Sequence, residues 1–262
     1  MTPNAASAAL LALLGAVLAV PASANLALPY AYSAAGDVDD PNSLVEDMTF
    51  FGMATASAAT DWAWAQTDLG IQRAGASGDG GDTWHGALSV WSDGFTYSGG
   101  PGTGTAQVSL SLDGLFAGAD AAVSGYALLK TAYPVLPGDL YALLSGATTL
   151  PADMEVVLWD SRDNQAGAVH TVLTGSFQYG YGETFYLTSV FGVAASGNGA
   201  VDFGHTAEFG ISGAGDLVTD SGTRYMAAAV PEAHEWAMLM AGLGLMGLRL
   251  RRRGPGSSRI AA

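Results

Sequence analysis

From Val201 to Ser212, apolar side chains, joined by His205, occupy every second position, and polar residues and glycine occupy the positions between them. A β-strand points successive side chains to opposite faces, so this alternation gives it one apolar face and one polar face. A helix would spread the same residues around its whole circumference. The pattern therefore predicts β-structure that covers a hydrophobic core on one side.

Shorter segments of the same character follow one another along the chain, separated by Gly, Asp, Asn and Ser. No long amphipathic helix is predicted between them. Short strands joined by turn residues are typical of antiparallel sandwiches. We therefore expect an all-β body, an antiparallel β-sandwich of jelly-roll-like type, over residues 25–229. The predicted strands are 87–91, 107–113, 125–131, 154–160, 169–179, 184–193 and 216–219.

The composition supports a folded body and excludes several functional classes. Hydrophobic residues make up 49% of the 262, and 6 Trp, 10 Tyr and 9 Phe supply large side chains for a core, which argues against disorder. The chain has no cysteine, so disulfides, thiolate metal sites and cysteine nucleophiles are excluded. Its formal net charge of -15 argues against nucleic acid as a partner, because nucleic-acid-binding proteins need a basic surface.

The first 24 residues have the organisation of a secretory signal peptide. Residues 8–20 form an uninterrupted apolar stretch that is short for a bilayer core of about 30 Å, and Pro21 follows it. Ala22 and Ala24 supply the small residues that a signal peptidase requires, which predicts cleavage before Asn25. The segment before the apolar stretch has no lysine or arginine, which departs from the usual pattern.

The C-terminal region carries a signal of another kind. An apolar run of 13 residues begins at Trp236 and ends just before a cluster of arginines. An aromatic residue at one interface and cationic residues on the cytoplasmic side are typical of membrane helices. At 1.5 Å per residue such a run covers only about 20 Å. We therefore predict a short transmembrane helix over 236–250, which suits a temporary anchor.

With the motif that precedes it, this tail resembles the PEP-CTERM sorting signal. The residues that carry the resemblance are a sorting motif, Val230, Pro231 and Glu232, and a basic stop, Arg251, Arg252 and Arg253. Ala233 stands where that family usually has a second proline. The resemblance covers residues 230–262, and it implies an exported bacterial protein whose tail is recognised and processed by an exosortase. Proteins of this group also begin with a signal peptide, and their hosts typically make exopolysaccharide.

Charge divides the chain in the same way. Residues 25–229 hold 22 acidic and 4 basic side chains, whereas residues 230–262 hold 2 acidic and 5 basic ones. The acidity therefore belongs to the body, and basic residues cluster where a membrane signal needs them. We expect three parts, namely a signal peptide (1–24), a β-sandwich body (25–229) and a sorting signal (230–262).

No arrangement of residues selects a catalytic or cofactor site. The four histidines show none of the spacings of zinc enzymes, and the G-x-S-x-G motif of serine hydrolases is absent. Residues 242–247 match G-x-G-x-x-G, but they follow no predicted strand, so a nucleotide site is not expected. We therefore expect a protein that is not an enzyme and has no cofactor. A secreted hydrolase is the least favoured alternative.

Acidic loops offer candidate sites for a metal ion, with calcium the ion that fits best. Asp37, Asp39, Asp40 and Asn42 bring four oxygen donors within six residues, and hard cations such as calcium prefer such ligands. Loops 79–82 and 160–164 also hold acidic residues. None matches a known calcium motif. The competing and favoured interpretation is that these residues form solvated turns.

Tryptophans raise the alternative of carbohydrate binding, because sugars stack on flat aromatic faces. Trp62 and Trp64 are two residues apart, so in a strand both would point to the same side. The competing interpretation is that these and other aromatic residues fill the core of the sandwich. The solvent exposure of the indoles separates the two hypotheses.

The sequence thus predicts an exported protein of non-enzymatic, structural or interaction type, associated with the cell surface or with exopolysaccharide. It would be anchored transiently in the inner membrane and would then reside at the cell surface or outside the cell. Signal peptidase and an exosortase are the expected partners during export, and exopolysaccharide is a further candidate partner. The alternative is a carbohydrate-binding module that uses Trp62 and Trp64.

Overall fold

The computed structural model describes residues 29–225 except 39, 51, 59–61, 119, 136–152, 164–166 and 205–206. These residues belong to the first of two compact units into which the chain divides, 1–228 and 229–262. The signal peptide, the sorting motif, the membrane helix, the basic stop and His205 lie outside the described residues. In the part of the chain that the structure describes, no helix is long and apolar enough to cross a membrane.

Strands account for nearly all regular structure of the described residues, and one short 3-10 helix, η1 (Pro41–Ser43), is the exception. The strands are β1 (Tyr30–Asp37), β2 (Val45–Thr49), β3 (Ala54–Ser57), β4 (Ala63–Asp68), β5 (Ile71–Ser77), β6 (His85–Ser98), β7 (Thr103–Ala117), β8 (Ala122–Thr131), β9 (Glu155–Asp163), β10 (Gly167–Gly180), β11 (Thr184–Ala195), β12 (Ala200–Asp202), β13 (Ala207–Gly213) and β14 (Asp216–Thr219).

Two seven-stranded antiparallel sheets, called here sheet I and sheet II, face each other in a sandwich-like arrangement. Sheet I has the order β2–β1–β6–β11–β8–β9, and β14 pairs with the last residues of β6. Sheet II has the order β10–β7–β12–β5–β4–β3, and β13 follows β12 in the space between β7 and β5. The prediction of an all-β antiparallel body is confirmed.

Aromatic side chains from both sheets fill one part of the interior. The ring of Trp91 on β6 lies 5.1 Å from that of Phe209 on β13 and 5.4 Å from that of Tyr225. Phe95 and Phe185 extend the cluster along sheet I. All five side chains are buried. Ring pairs at such distances stabilise the fold by about 0.5–1.5 kcal/mol each beyond the burial of their area.

A second part of the interior combines small residues with a chain of hydrogen bonds. Alanines occupy the inward positions of β3, β4 and β5, so the sheets approach closely there. Gln72 of β5 donates to the carbonyl of Ser89 (2.6 Å) and accepts from the hydroxyl of Ser189 (2.5 Å), both in sheet I. The hydroxyls of Thr67 on β4 and Ser89 are 2.5 Å apart. Hydrogen bonds thus join the two sheets across the core.

Replacing Gln72 with alanine should lower the free energy of unfolding by about 2–3 kcal/mol, because two buried groups lose their cross-sheet partner. The matched control is Gln66→Ala on β4. The Gln66 side chain is half-buried on the face of β4 that points away from the core, where its amide oxygen accepts from Arg73. We therefore expect Gln66→Ala to lower the free energy of unfolding by less than about 1 kcal/mol. Urea unfolding followed by tryptophan fluorescence measures both. Equal losses would show that the cross-sheet bonds add little stability.

The inner strands of sheet I, β1, β6, β11 and β8, are buried on both faces. Tyr30 and Tyr32 on β1, and Leu88 and Val90 on β6, alternate with residues that face sheet II, yet all four are buried. The hydroxyl of Tyr30 donates to the buried carbonyl of Val135 at 2.5 Å. A strand that is buried on both faces has no polar face, so its sequence shows no alternation of hydropathy.

The alternating segment 201–212 forms two strands rather than the single uninterrupted one that its pattern suggests. β12 ends at Asp202 and β13 begins at Ala207. Asp202 pairs with Leu115 of β7, and Ala207 pairs with Leu112. This segment therefore advances by five residues while β7 advances by three. Because the excess is two residues and side chains alternate with a period of two, the described apolar residues stay on the inner face.

Candidate functional site

The candidate site lies at the end of the sandwich where β1 finishes and β6 begins. Asp37 and His85 are directly opposite each other in the β1–β6 register, so strand pairing itself places a carboxylate beside an imidazole. Asp79, from the loop between β5 and β6, approaches the same imidazole. Two of the acidic loops identified in the sequence therefore meet at His85, a residue to which the sequence patterns assign no role.

His85 is held in one orientation by Asp37. The imidazole is 4% exposed, and its Nδ1 lies 2.6 Å from Oδ1 of Asp37. A carboxylate at that distance accepts a hydrogen bond from Nδ1. The pair therefore fixes the orientation of the ring and the position of Nε2.

Nε2 of His85 is buried and has no hydrogen-bond partner among the described residues. Oδ2 of Asp79 lies 3.8 Å away, which is beyond hydrogen-bond distance. A buried polar atom without a partner costs about 1–3 kcal/mol of stability, and such atoms are rare in native proteins. An unpaired buried nitrogen beside a carboxylate makes this cluster the candidate site.

The loop that carries Asp79 is fixed by backbone hydrogen bonds to a neighbouring loop. Gly80 donates to the carbonyl of Gly197 (2.7 Å), and Gly197 donates to the carbonyl of Gly81 (2.9 Å). Gly80 has φ 86°, a conformation that glycine adopts without steric cost. The Gly81 amide also donates to the Asp79 carboxylate at 2.8 Å. That bond, with a further contribution from His85, holds the pKa of Asp79 below its ordinary value, so Asp79 is ionised near neutral pH.

Trp62 completes the cluster. Its indole lies over the imidazole of His85, with ring centroids 6.0 Å apart and 24° between the ring planes. The amide of Ser77 donates to the Trp62 carbonyl at 2.8 Å, which fixes the backbone just before β4. The indole is 38% exposed, so part of its aromatic surface faces solvent.

Trp64 is placed differently, although it is close to Trp62 in sequence. It lies opposite Gly75 in the β4–β5 register, and its indole covers that glycine so closely that no Cβ would fit there. Trp64 is half-buried, and it contacts sheet II rather than His85. Among the described tryptophans, the most exposed is Trp159 on the edge strand β9, at 57%. Carbohydrate binding by Trp62 and Trp64 stays a prediction.

The residues proposed as a calcium site make other contacts. Asp37 binds His85, and Asp40 accepts from the backbone and side-chain amides of Asn42 at 3.0 and 3.1 Å, which caps η1. Asp39 lies outside the described residues. In the described part of the chain, no group of three or more His, Asp or Glu side chains is placed to hold a metal ion. Calcium binding by this loop stays a prediction.

A polar cavity of about 330 Å³ lies at the opposite end of the sandwich. Lys130, Asp153 and Glu183 border it. The Lys130 ammonium lies 3.2 Å from the carboxylate of Glu155 and 5.3 Å from the ring centroid of Phe177, so its charge is already paired. None of the described side chains around this cavity is a buried group without a partner. The cavity therefore indicates a ligand less specifically than the first site does.

No protein-family model and no curated protein matches this chain. The resemblance of the C-terminal region to a sorting signal therefore depends on its own residues alone.

Proposed function

We propose that this chain is an exported, non-enzymatic protein of the bacterial cell surface or exopolysaccharide layer. The observation that carries the proposal is the division of the sequence into an acidic body and two terminal segments with the character of export signals. A signal peptidase would remove the first segment, and an exosortase would process the second. The jelly-roll-like connectivity of the body and the helices at both ends belong to this proposal.

The geometry of the body supports a structural or interaction role outside the cell. Aromatic packing and cross-sheet hydrogen bonds join its two sheets, and the chain contains no cysteine for a disulfide to form. A strong excess of negative charge favours solubility and discourages self-association. A body with these properties suits a protein that must stay folded outside the cell.

Changing Pro231 and Glu232 together to alanine should leave a full-length species in the inner membrane, because an exosortase would no longer recognise the tail. Membrane fractionation and intact-mass spectrometry of the protein from its native host measure this outcome. The wild-type protein should begin at Asn25 and lack C-terminal residues.

The matched control changes Glu235 and Pro255 to alanine, which alters the same residue types in the tail but leaves the motif intact. That variant should be processed like the wild type. An unchanged mature mass after the substitutions in the motif, or a wild-type protein that retains residues 1–24, contradicts the proposal.

A carbohydrate-binding module is the second candidate function, and the exposure of two indoles favours it. Trp62 is partly exposed beside a polar cluster, and Trp159 is exposed on an edge strand. Exposed aromatic surface of this kind can stack on sugar rings. The two candidates are compatible, since a protein of an exopolysaccharide layer has polysaccharide as its nearest partner.

A further inference from the structure

Asn198 is the asparagine of this chain that glycine follows, whereas the four others precede alanine, leucine, serine and glutamine. An asparagine before glycine deamidates faster than other asparagines, because no side chain shields the next backbone nitrogen. In the structure, Asn198 lies in the turn between β11 and β12 and is exposed. The body therefore presents a chemically labile residue to solvent.

Deamidation proceeds within the chain and needs only water as a co-reactant. The backbone nitrogen of Gly199, after its proton passes to solvent, attacks Cγ of Asn198. A bond forms between these two atoms, the bond between Cγ and Nδ2 breaks, and Nδ2 leaves as ammonia with a proton from water. Water then opens the cyclic imide at either carbonyl group. The products are aspartate and isoaspartate, each about 1 Da heavier than asparagine.

The turn that holds Asn198 keeps this nitrogen away from the reaction. The amide of Gly199 donates to the carbonyl of Ser196 at 2.9 Å, which closes a β-turn with Gly197 at φ 61°. The nitrogen must give up this bond before it can attack Cγ. A Cβ at residue 199 would collide with the carbonyl of Ala121, so a bulkier residue that would slow the reaction does not fit. The fold therefore requires the glycine and restrains its amide.

Asp120 restrains the other reacting group. Its Oδ2 accepts from the backbone amide of Asn198 at 2.7 Å and from Nδ2 of the same residue at 2.9 Å. These bonds lower the pKa of the Asp120 carboxyl group, so it is ionised near neutral pH. The bond to Nδ2 holds the side-chain amide in place, and the negative charge opposes loss of a proton from the neighbouring peptide nitrogen. Both effects slow deamidation.

The turn also connects two loops at this end of the sandwich. Three backbone hydrogen bonds of 2.7–2.9 Å join residues 78–81 to residues 197–199. Deamidation would put a second carboxylate beside Asp120, and like charges at that distance repel each other. Isoaspartate would also lengthen the main chain within the turn. Both changes oppose the geometry that the three hydrogen bonds need.

We propose that Asn198 is a site of spontaneous deamidation, that Asp120 sets its rate, and that modification detaches loop 78–81 from the turn. In the intact body the reaction is slow, and each modified molecule loses the junction between the two loops. Loop 78–81 carries Asp79, so modification also frees this carboxylate from its position beside His85. The inference does not depend on export or on a ligand.

The rate of deamidation in the folded protein tests the restraint. Full-length protein in mild detergent is kept at neutral pH, and peptic peptides that contain residue 198 are followed by mass spectrometry over several days. A synthetic peptide of residues 194–203 provides the unrestrained rate. We expect deamidation to be at least tenfold slower in the protein than in the peptide. Equal rates would overturn the proposal.

Two variants that each lose one carboxylate separate Asp120 from the general acidity of the body. Asp120→Ala should deamidate at Asn198 at least threefold faster than the wild type. Asp82→Ala removes an exposed carboxylate that does not bind Asn198, so its rate should stay within twofold of the wild-type rate. Thermal unfolding is monitored to show that both variants fold. An unchanged rate in Asp120→Ala, or an equal acceleration in both variants, would exclude the role of Asp120.

Asn198→Asp reproduces one product of the reaction and tests its consequence. Hydrogen exchange should become at least tenfold faster in peptides that cover residues 78–81 and 196–199, because their shared hydrogen bonds open. Asn198→Ala is the control, since it removes the side-chain hydrogen bond to Asp120 without adding charge, and should accelerate exchange less than threefold. Wild-type exchange in Asn198→Asp would show that the loops stay joined after deamidation and would refute the proposed detachment.

Discussion

Replacing Trp91 with alanine should lower the free energy of unfolding by about 3–5 kcal/mol. The indole is 0% exposed and packs against Phe209 and Tyr225, so truncation leaves a cavity between the two sheets. The cost combines the lost transfer free energy of the indole with the contacts that the surrounding rings lose. Hydrogen-bonded strands on both sides limit how far the cavity can close.

Urea unfolding of the full-length chain, followed by circular dichroism, measures this loss. Trp159→Ala is the matched control, because the same truncation on an exposed position should cost less than about 1 kcal/mol. Trp91→Phe should cost about 1–2 kcal/mol, since Nε1 of Trp91 has no partner among the described residues and no hydrogen bond is lost. Similar losses for Trp91→Ala and Trp159→Ala would contradict the packing described for this core.

The second large effect is expected at Asp93, a residue of β6 that is 1% exposed. Its carboxyl group accepts from the amides of Gly94 (2.8 Å) and Ser221 (3.1 Å), from the hydroxyl of Tyr225 (2.8 Å) and from that of Ser221. Asp93→Ala would leave these donors without an acceptor, so we expect a loss of about 3–5 kcal/mol. The bonds tie the last described segment of the chain to sheet I.

Asp93→Asn is the control for this position. The amide oxygen can still accept from the two backbone amides, and the amide nitrogen can donate to the hydroxyls of Ser221 and Tyr225. The loss should therefore stay near about 1 kcal/mol at neutral pH. Urea unfolding of both variants provides the comparison, and an equally large loss with asparagine would show that charge, rather than hydrogen bonding, matters here.

Asp93 should also make stability depend on pH. Burial raises the pKa of its carboxyl group above the ordinary value of 3.8, although four hydrogen bonds act in the other direction. The folded chain then binds more protons than the unfolded chain between the two pKa values. The contribution of this group to stability is therefore largest at acid pH and is lost as the pH rises through the folded value. Between pH 7 and pH 4, the wild type should gain stability relative to Asp93→Asn. A constant difference would contradict the raised pKa.

Strands whose two faces differ in polarity could be predicted from the sequence. The segment 216–219 is predicted with the bounds that β14 has, and 184–193 lies within β11. β1 to β5 are not predicted as strands. β1 is buried on both faces, and the inner faces of β3, β4 and β5 carry alanine beside serine, threonine and glycine. The two faces of such strands differ more in side-chain size than in hydropathy. A search for alternating hydropathy therefore does not detect them.

The candidate site was predictable only in part. Asp37 and Asp79 are recognisable from the sequence as acidic loop residues, but nothing local shows that they meet at one imidazole. That meeting depends on the register between β1 and β6, which pairs residues 37 and 85. The exposure of Trp159 likewise depends on the position of β9 at the edge of sheet I. Register and strand order arise from long-range pairing, which a pattern of neighbouring residues does not encode.

The position of β6 within sheet I has a consequence for the timing of folding. β6 pairs with β1 near the beginning of the body and with β11 and β14 near its end. Tyr225, the last described residue, packs against Trp91 on the same strand. Topologies that depend on such distant pairings fold slowly, because long loops must close before the contacts form. In a chain that crosses a membrane as an extended polymer, as proposed here, the centre of the sheet would be completed only after nearly all of the body had passed through. The order of the strands would thus delay folding until translocation was almost finished.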